Sequence, residues 1–191
     1  MSGLAERLSA RGVDFLTTRE PGGTALGDRL RALFADPSLT IDPVAEAFVV
    51  NASRAQHVGE VIEPALRAQR WVLCDRFSSA TLAYQGYGRG VDGTLLATLA
   101  SIATRALEPD LTLLIDVAVE LSRERVAARN AERGGVADRL EREPDDFHER
   151  VRRGYLELAA RDARFAVLDG SQSQAAVLQA AWSVVEAKFL A

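Results

Sequence analysis

Charged side chains directly follow two short segments that the sequence predicts as strands. Asp75 and Arg76 come after four apolar residues, and Arg19 and Glu20 come after another predicted strand. A carboxylate at a strand end can hold a magnesium-bound water, as in many phosphoryl-transfer enzymes. An adjacent arginine can bind a phosphate with two parallel donors. By itself each pair is equally compatible with a solvated salt bridge, and together they predict a site for a phosphorylated ligand.

The residues Arg19–Thr24 lie between a predicted strand and a predicted helix. Gly22 and Gly23 can take backbone angles closed to other residues, so the chain can pass close to a ligand. A tight strand-to-helix turn explains Pro-Gly-Gly alone, whereas the neighbouring arginine and glutamate favour a binding site. Arg31 lies twelve residues after Arg19, near the far end of the next helix, from where it can reach back to a phosphate.

Residues 78–90 contain side chains suited to a sugar and a base. Tyr84 offers a flat wall for either group, and Gln85 or Thr81 can hydrogen-bond a base edge. This segment follows Asp75 and Arg76 closely, so we expect it to line the same site.

The elements that position these residues alternate between strands and helices, which is typical of a parallel α/β sheet. The predicted strands are Val13–Thr18, Trp71–Cys74, Leu111–Ile115 and Phe165–Leu168. Asp116 follows the third of them. Predicted helical stretches include Pro43–Gln69, in which Pro64 kinks the helix or starts a second one. Because ligands of parallel sheets bind beyond the carboxyl ends of the strands, the charged pairs fall where a site is expected.

Composition narrows the class of protein. A length of 191 residues predicts a single domain that spans residues 1–191. The net charge of -4 argues against a nucleic-acid partner, because binding to nucleic acid depends on a basic surface. No apolar stretch approaches the ~20 residues of a membrane span, and no signal peptide is visible, so we expect a cytoplasmic protein without a membrane partner. Cys74 is the single cysteine, and its apolar run predicts a structural thiol.

Several motifs together resemble bacterial thymidylate kinases over essentially the whole chain. They are Arg19–Thr24, Ser53–His57, Asp75–Phe77, Leu82–Gly90, Asp138–Glu141 and Tyr155–Ala159. The resemblance implies the three-layer parallel sheet of P-loop NTPase-type nucleoside-monophosphate kinases. It also implies thymidylate and ATP as substrates, Mg²⁺ as cofactor, and a homodimer formed through the long helices, including Pro43–Gln69.

By this resemblance each candidate residue has an expected role. Asp75 holds the metal through water, and Glu20 helps to organise metal and water. The thymidylate phosphate lies among Glu20, Arg31 and Arg76. The thymine edge faces Arg54, Thr81 and Gln85, and Tyr84 packs against the deoxyribose. Val50 stands where the family usually has a phenylalanine that stacks on the base, so Phe48 or another ring must substitute, or base binding weakens.

Residues 129–144 resemble the lid that closes over the transferred phosphate. Three of its arginines are Arg129, Arg133 and Arg139, and we expect these to bind the ATP phosphates, with Arg133 and Arg139 acting in catalysis. An arginine-rich loop is also a common solvated surface, so this assignment rests on the resemblance.

No part of the sequence matches G-x-x-x-x-G-K-[ST], the loop that binds the donor phosphates in such kinases. The sequence therefore predicts that the first strand of the sheet and this loop are missing, with Met1 falling just after the loop. A misassigned start is the simpler explanation. If Met1 is the true start, the chain is a non-catalytic nucleotide-binding pseudo-kinase, and Val50 leaves a related deoxynucleotide or deoxynucleoside kinase as a further alternative.

Overall fold

The computed structural model describes residues 1–133 and 137–190. The strands are β1 (Phe15–Arg19), β2 (Trp71–Asp75), β3 (Thr112–Asp116) and β4 (Phe165–Asp169). The helices are α1 (Ser2–Ala10), α2 (Ala25–Ala35), α3 (Pro43–His57), α4 (Glu63–Arg67), α5 (Ser78–Thr81), α6 (Gly93–Thr104), α7 (Val119–Arg133), α8 (Asp145–Arg161) and α9 (Gln174–Phe189). Two π-helical segments, Val58–Ile62 and Leu82–Gly88, continue α3 and α5.

The predicted α/β class with parallel strands is confirmed. β1 pairs with β2 in parallel, and β3 pairs with β4 in parallel. Within the described residues the two pairs form separate two-stranded sheets. All four predicted strands are present, although β1 begins two residues later than expected, because the Val13 amide donates to the Leu8 carbonyl at the end of α1.

One face of both sheets is covered by α1 and α9. Leu8, Trp182 and Val185 form a buried cluster against which strand residues such as Leu73 and Leu113 pack. Since β2 and β3 pack against the same cluster, the edges of the two sheets lie on a common layer of helices. In the part of the chain that the structure describes, no helix is both long and apolar enough to cross a membrane.

The long helical stretch predicted from Pro43 is present and changes geometry before Pro64. Asp42 caps the start of α3 by accepting from the amides of Val44 and Ala45. The helix passes through the π-helical segment Val58–Ile62 into α4, which begins at Glu63 with Pro64 in its first turn. A proline is tolerated there because the π-helical segment directly before it already interrupts the regular pairing of each amide with the carbonyl four residues earlier.

Helix α8 packs closely on the second π-helical segment, and this contact positions the residues that follow β2. A Cβ on Gly154 would lie 2.5 Å from the Tyr87 ring, so only glycine allows this approach. Phe147 is 1% exposed and packs with Ala83 and Val151. The contact between α8 and this segment therefore sets the position of Tyr84 and Gln85.

We expect Phe147→Ala to lower the free energy of unfolding by about 3–5 kcal/mol, because it leaves a cavity at this contact. Leu39→Ala, in an exposed loop position (40% exposed), is the control and should change it by about 0.5 kcal/mol or less. Chemical denaturation followed by circular dichroism measures both. Equal losses would show that α8 does not carry the packing described.

Candidate active site

The carboxyl ends of β1 and β2 bring the two charged pairs together. Arg19 lies opposite Asp75 in the strand register, and the Glu20 amide donates to the Asp75 carbonyl at 2.9 Å. The turn after β1 therefore lies beside Arg76, as the strand ends predicted.

Glu20 is the centre of a buried polar network. Its Oε2 accepts from Nε of Arg54 at 2.8 Å, and its Oε1 pairs with Nδ1 of His57 at 3.0 Å. Glu20 and Arg54 are each 3% exposed, and His57 is fully buried. A buried charge is tolerated only when it is paired, so these contacts hold the end of β1 against α3. Sequence reasoning did not identify the role of His57, because 37 residues separate it from Glu20.

Hydrogen bonds to several parts of the chain fix the position of the Arg54 guanidinium. Its NH1 group donates to Asn51 Oδ1 at 2.9 Å, and its NH2 group donates to the Phe77 carbonyl at 3.1 Å and to Thr81 Oγ1 at 3.0 Å. With the bond to Glu20, four of the five N–H donors of a guanidinium group are used. One donor is left for a ligand.

Gly23 allows the turn after β1 to approach this network. Its φ of +79° lies in a region that side chains rarely adopt, and an added Cβ would lie 2.8 Å from Nε2 of His57. The neighbouring Gly22 amide donates to Ser53 Oγ at 3.1 Å. Gly23 is therefore required by its close approach to α3, whereas Gly22 is required by its φ of +126° and by its approach to Asp28 of α2, where an added Cβ would lie 2.7 Å from Oδ1.

Arg76 and Tyr84 form one unit at the edge of the site. The Arg76 guanidinium lies 4.9 Å from the centre of the Tyr84 ring, and its NH2 group donates to the tyrosine hydroxyl at 3.2 Å. Tyr84 also makes an edge contact with Tyr155, at 6.3 Å between ring centres. Arg76 remains exposed, so its remaining donors face solvent.

A pocket lies between α2, α3, the end of β2 and the second π-helical segment. It is lined by seven residues that the sequence predicted as site residues: Glu20, Val50, Arg54, Arg76, Thr81, Tyr84 and Gln85. It is also lined by four that sequence reasoning missed: Pro21, Phe34, Ala80 and Leu140. The structure thus brings most of the predicted substrate-binding residues together.

Besides Tyr84, the aromatic side chain that lines this pocket is that of Phe34, which comes from α2. Phe48, the ring suggested as a substitute beside Val50, is 55% exposed and lines no part of the pocket. The structure does not place Phe48 at the pocket, because it lies half a helical turn away from Val50 on α3, and Phe34 is a candidate for the other ring that the sequence analysis allowed. No local signal distinguished Phe34 from the other apolar residues of α2.

Two predicted site residues, Arg31 and Asp75, lie at the margin of the pocket in different surroundings. Arg31 is exposed and donates to the Pro21 carbonyl at 3.0 Å, so it lies over the turn, outside the pocket lining. Asp75 is exposed at the end of β2, and its carboxylate has no partner among residues 1–133 and 137–190. A solvent-facing carboxylate beside an arginine fits a magnesium-bound water. By contrast, both oxygens of Glu20 are already paired.

Asp116, at the end of β3, is engaged elsewhere. Its two carboxylate oxygens accept from Arg152 of α8 at 2.7 and 2.9 Å. These hydrogen bonds lower the pKa of the Asp116 carboxyl. The residue therefore joins α8 to β3 and does not line the pocket.

The predicted lid arginines lie in three settings. Arg129 is in the last turns of α7, which continue to Arg133, and its guanidinium pairs with Glu141. The side chain of Arg133 and residues 134–136 lie outside the described part. Arg139 lies beside the pocket, where it pairs with Glu46, donates to the Phe34 carbonyl at 3.0 Å and stacks on the Phe34 ring.

Glu20, His57 and Cys74 place one ligand-type atom each within 4.8 Å of one another. Hydrogen bonds account for this cluster: the carboxylate and the imidazole pair with each other, and the Cys74 thiol donates to the Arg76 carbonyl at 3.0 Å. Burial, followed by the nearby carboxylates of Glu20 and Asp75, raises the pKa of the Cys74 thiol. The thiol therefore stays protonated at neutral pH, as expected of a structural cysteine.

Parallel strands with an arginine-lined pocket at their carboxyl ends are typical of nucleotide-binding α/β proteins. The thymidylate kinase family profile matches residues 1–181. A thymidylate kinase of Desulfovibrio desulfuricans is 52% identical over 188 residues, covering 96% of this chain and 87% of the relative. One of Carboxydothermus hydrogenoformans is 51% identical over 167 residues, covering 87% and 79%. The chain belongs to the thymidylate kinase family, so the function predicted from the sequence is confirmed, and with it the P-loop NTPase kinase fold that the family implies.

The raised pKa of Cys74 predicts slow alkylation. At neutral pH the thiolate fraction is small, so iodoacetamide should modify the native chain at least tenfold more slowly than the urea-unfolded chain, whose thiol pKa is about 8.5. The native rate should still rise with pH above that value. Mass spectrometry over a time course measures both rates, and equal rates would show that the thiol is accessible and ordinary.

Proposed function

We propose that this chain binds thymidylate in the pocket as the phosphoryl acceptor, and that with the donor site proposed below the γ-phosphoryl group of ATP, as its magnesium complex, is transferred to the 5'-phosphate, giving dTDP. The observation that carries the proposal is the polarity of the pocket. Buried hydrogen-bonding groups lie at one end, around Thr81 and Gln85. An exposed guanidinium, that of Arg76, lies at the other end beside the free carboxylate of Asp75.

The base end fits a pyrimidine. Gln85 and Thr81 are each 2% exposed and line the pocket, and Arg54 retains one donor beside them. These groups can hydrogen-bond the edge of thymine, while Phe34 and Val50 supply apolar surface for its faces. Phe34 thereby offers the aromatic contact that Val50 cannot.

The phosphate end fits a dianion. Arg76 is oriented by its contact with Tyr84 and can present paired donors to the 5'-phosphate. Arg31 lies over the turn and can add a second guanidinium. The Tyr84 ring lies between the base end and the phosphate end, where it can pack against deoxyribose and leave no room for a 2'-hydroxyl.

The metal site is proposed at Asp75, which would hold Mg²⁺ through a bound water. The magnesium ion, when bound, neutralises charge on the phosphates. Glu20, whose oxygens are both paired, acts by holding Arg54 in place. Catalysis then depends on positioning and charge neutralisation more than on covalent chemistry.

The donor side is proposed to need a further strand and a glycine-rich loop. β2 and β3 pack against the same helices but are not hydrogen-bonded to each other in the described residues, so each has an edge whose backbone groups need partners. A parallel strand between them would satisfy both edges. A loop after that strand would end near Asp75 and could hold the phosphates of ATP.

We propose that Arg129, Arg133 and Arg139 bind the transferred phosphate and the ATP phosphates. Arg139 pairs with Glu46 at the base end of the pocket, and its NH2 group is the one buried side-chain nitrogen or oxygen without a hydrogen-bond partner in the part of the chain that the structure describes. A buried unpaired donor is costly, so a ligand oxygen is its natural partner.

A homodimer through α3 and α6 is proposed from their exposed apolar side chains. Phe48 of α3 is 55% exposed and Ile102 of α6 is 70% exposed, and the two helices pack on each other. Apolar side chains on neighbouring helices are typical of an interface between subunits.

Arg76→Ala should weaken thymidylate binding at least tenfold, because hydrogen bonds between a guanidinium and a phosphate contribute about 1.5–3 kcal/mol. Arg67→Ala, which removes an exposed guanidinium on α4 (side chain 69% exposed), is the control and should leave the Kd unchanged. Isothermal titration calorimetry with thymidylate measures both. Equal effects would place the phosphate elsewhere.

Residues 1–191 alone should bind thymidylate yet transfer phosphate from ATP at a trace rate, because they lack a glycine-rich loop for the donor phosphates. A coupled assay of ADP release, with thymidylate binding measured in parallel, tests this. Substantial turnover by these residues alone would contradict the proposed donor site, and binding of another nucleoside monophosphate in preference to thymidylate would favour a related kinase.

A further inference from the structure

Glu46 is a fully buried carboxylate that lies behind the pocket without lining it. It is 0% exposed, in the first turn of α3, one turn before Val50. Its Oε2 accepts from Nε2 of Gln85 at 3.1 Å and from Nε of Arg89 at 3.3 Å. Its Oε1 pairs with Arg139 and lies 3.2 Å from NH2 of Arg89. The thymidylate-binding roles proposed above do not use this residue.

The chemistry of a carboxylate determines how the Gln85 amide must point. An ionised carboxylate only accepts hydrogen bonds, whereas an amide has a donating nitrogen and an accepting oxygen. The two guanidinium groups of Arg89 and Arg139 balance the negative charge of Glu46. The Gln85 nitrogen is therefore held toward Glu46, since the reverse orientation would place two acceptors against each other.

The Gln85 oxygen is left for the pocket. Gln85 lines the pocket, and no hydrogen bond to its Oε1 is formed by the residues that the structure describes. A ligand that approaches Gln85 with a donor gains a hydrogen bond, and one that approaches with a lone pair meets an acceptor in a desolvated site. Buried acceptors facing each other are strongly unfavourable because neither can reach water.

We propose that Glu46 is a positioning residue that fixes Gln85 as an acceptor and thereby makes the pocket select pyrimidines with a hydrogen on N3. Thymine and uracil carry this hydrogen. Cytosine has a lone pair at N3 and is rejected. The proposal rests on the proposed thymidylate site and adds the origin of its base preference.

The same carboxylate joins the base site to the segment after α7. Arg139 belongs to that segment, and its guanidinium contacts both Glu46 and the ring of Phe34. Arg89 bridges Glu46 to Glu143 of the same segment, at 2.6 Å from the latter. Glu46 therefore has one contact that orients Gln85 and two that balance its charge, and substitutions can separate these roles.

The test measures binding of thymidylate and of deoxycytidylate, so it does not depend on phosphoryl transfer. The measured quantity is the ratio of the two Kd values, obtained by isothermal titration calorimetry on residues 1–191. The unsubstituted chain should prefer thymidylate at least tenfold. In Glu46→Gln the new amide can donate or accept, so Gln85 can turn over, and the preference should fall to within about threefold of unity.

Glu143→Gln is the matched control. It removes the other carboxylate partner of Arg89 with the same change of charge, but it leaves the Glu46–Gln85 contact in place. The preference for thymidylate should persist in this variant. If Glu46 has a purely structural role, Glu46→Gln should weaken the binding of both nucleotides equally. The ratio of the two Kd values would then be unchanged, and this result would overturn the proposal.

Two further variants keep the outcome decisive. If Glu46→Gln does not fold, Glu46→Asp retains the charge for Arg89 and Arg139 but withdraws the carboxylate from Gln85, and the ratio should again fall. Gln85→Ala should abolish the preference by itself, and adding Glu46→Gln to it should change the ratio no further. An additional change in the double variant would show that Glu46 acts independently of Gln85.

If the unsubstituted chain binds neither nucleotide, the proposed thymidylate site itself fails, whereas binding of both without preference overturns only the role of Glu46.

Discussion

The buried ion pair between Glu20 and Arg54 is the interaction on which the site depends. Glu20 directly follows β1, Arg54 lies near the end of α3, and both are almost completely removed from water. Neither charge is tolerated there without the other, so the strand end, the helix and the turn between them form together. Arg54 then extends the pair to Thr81 at the end of α5, which positions the start of the second π-helical segment.

A second buried carboxylate, Glu46, lies on α3 about two helical turns before Arg54. Like Glu20, it is paired with cationic or donating groups from other parts of the chain. Glu20 holds one arginine and a histidine, while Glu46 holds two arginines and an amide. The face of α3 that lines the pocket is therefore supported by charged groups where an apolar core would normally lie. Apolar side chains could fill the same volume, but they could not fix the direction of donors and acceptors, which is what recognition of a base edge requires.

The strands supply less of the pocket than their ends suggest. β1 and β2 place Glu20, Asp75 and Arg76 at one edge of the sheet, but the walls come from α2, α3 and the segment after α5. Asp116 has the same position at the end of β3 and is used by Arg152 of α8. An acidic residue at a strand end thus becomes a ligand site or a structural ion pair according to which helix packs over it.

Apolar runs and their polar ends were sufficient to predict the four strands and the turn at Gly22 and Gly23, because strand formation and turn geometry depend on neighbours in the chain. Several residues that line the pocket were predicted from the same local patterns, whereas Val50 and Arg54 were predicted only from the resemblance to thymidylate kinases. The tertiary structure alone decided that Phe34 replaces Phe48 at the pocket, that His57 pairs with Glu20, and that Glu46 meets Arg139 from 93 residues away. These contacts depend on how α2, α3 and the segment after α7 converge. That convergence is set by packing between distant parts of the chain, which leaves no periodic signal in the sequence.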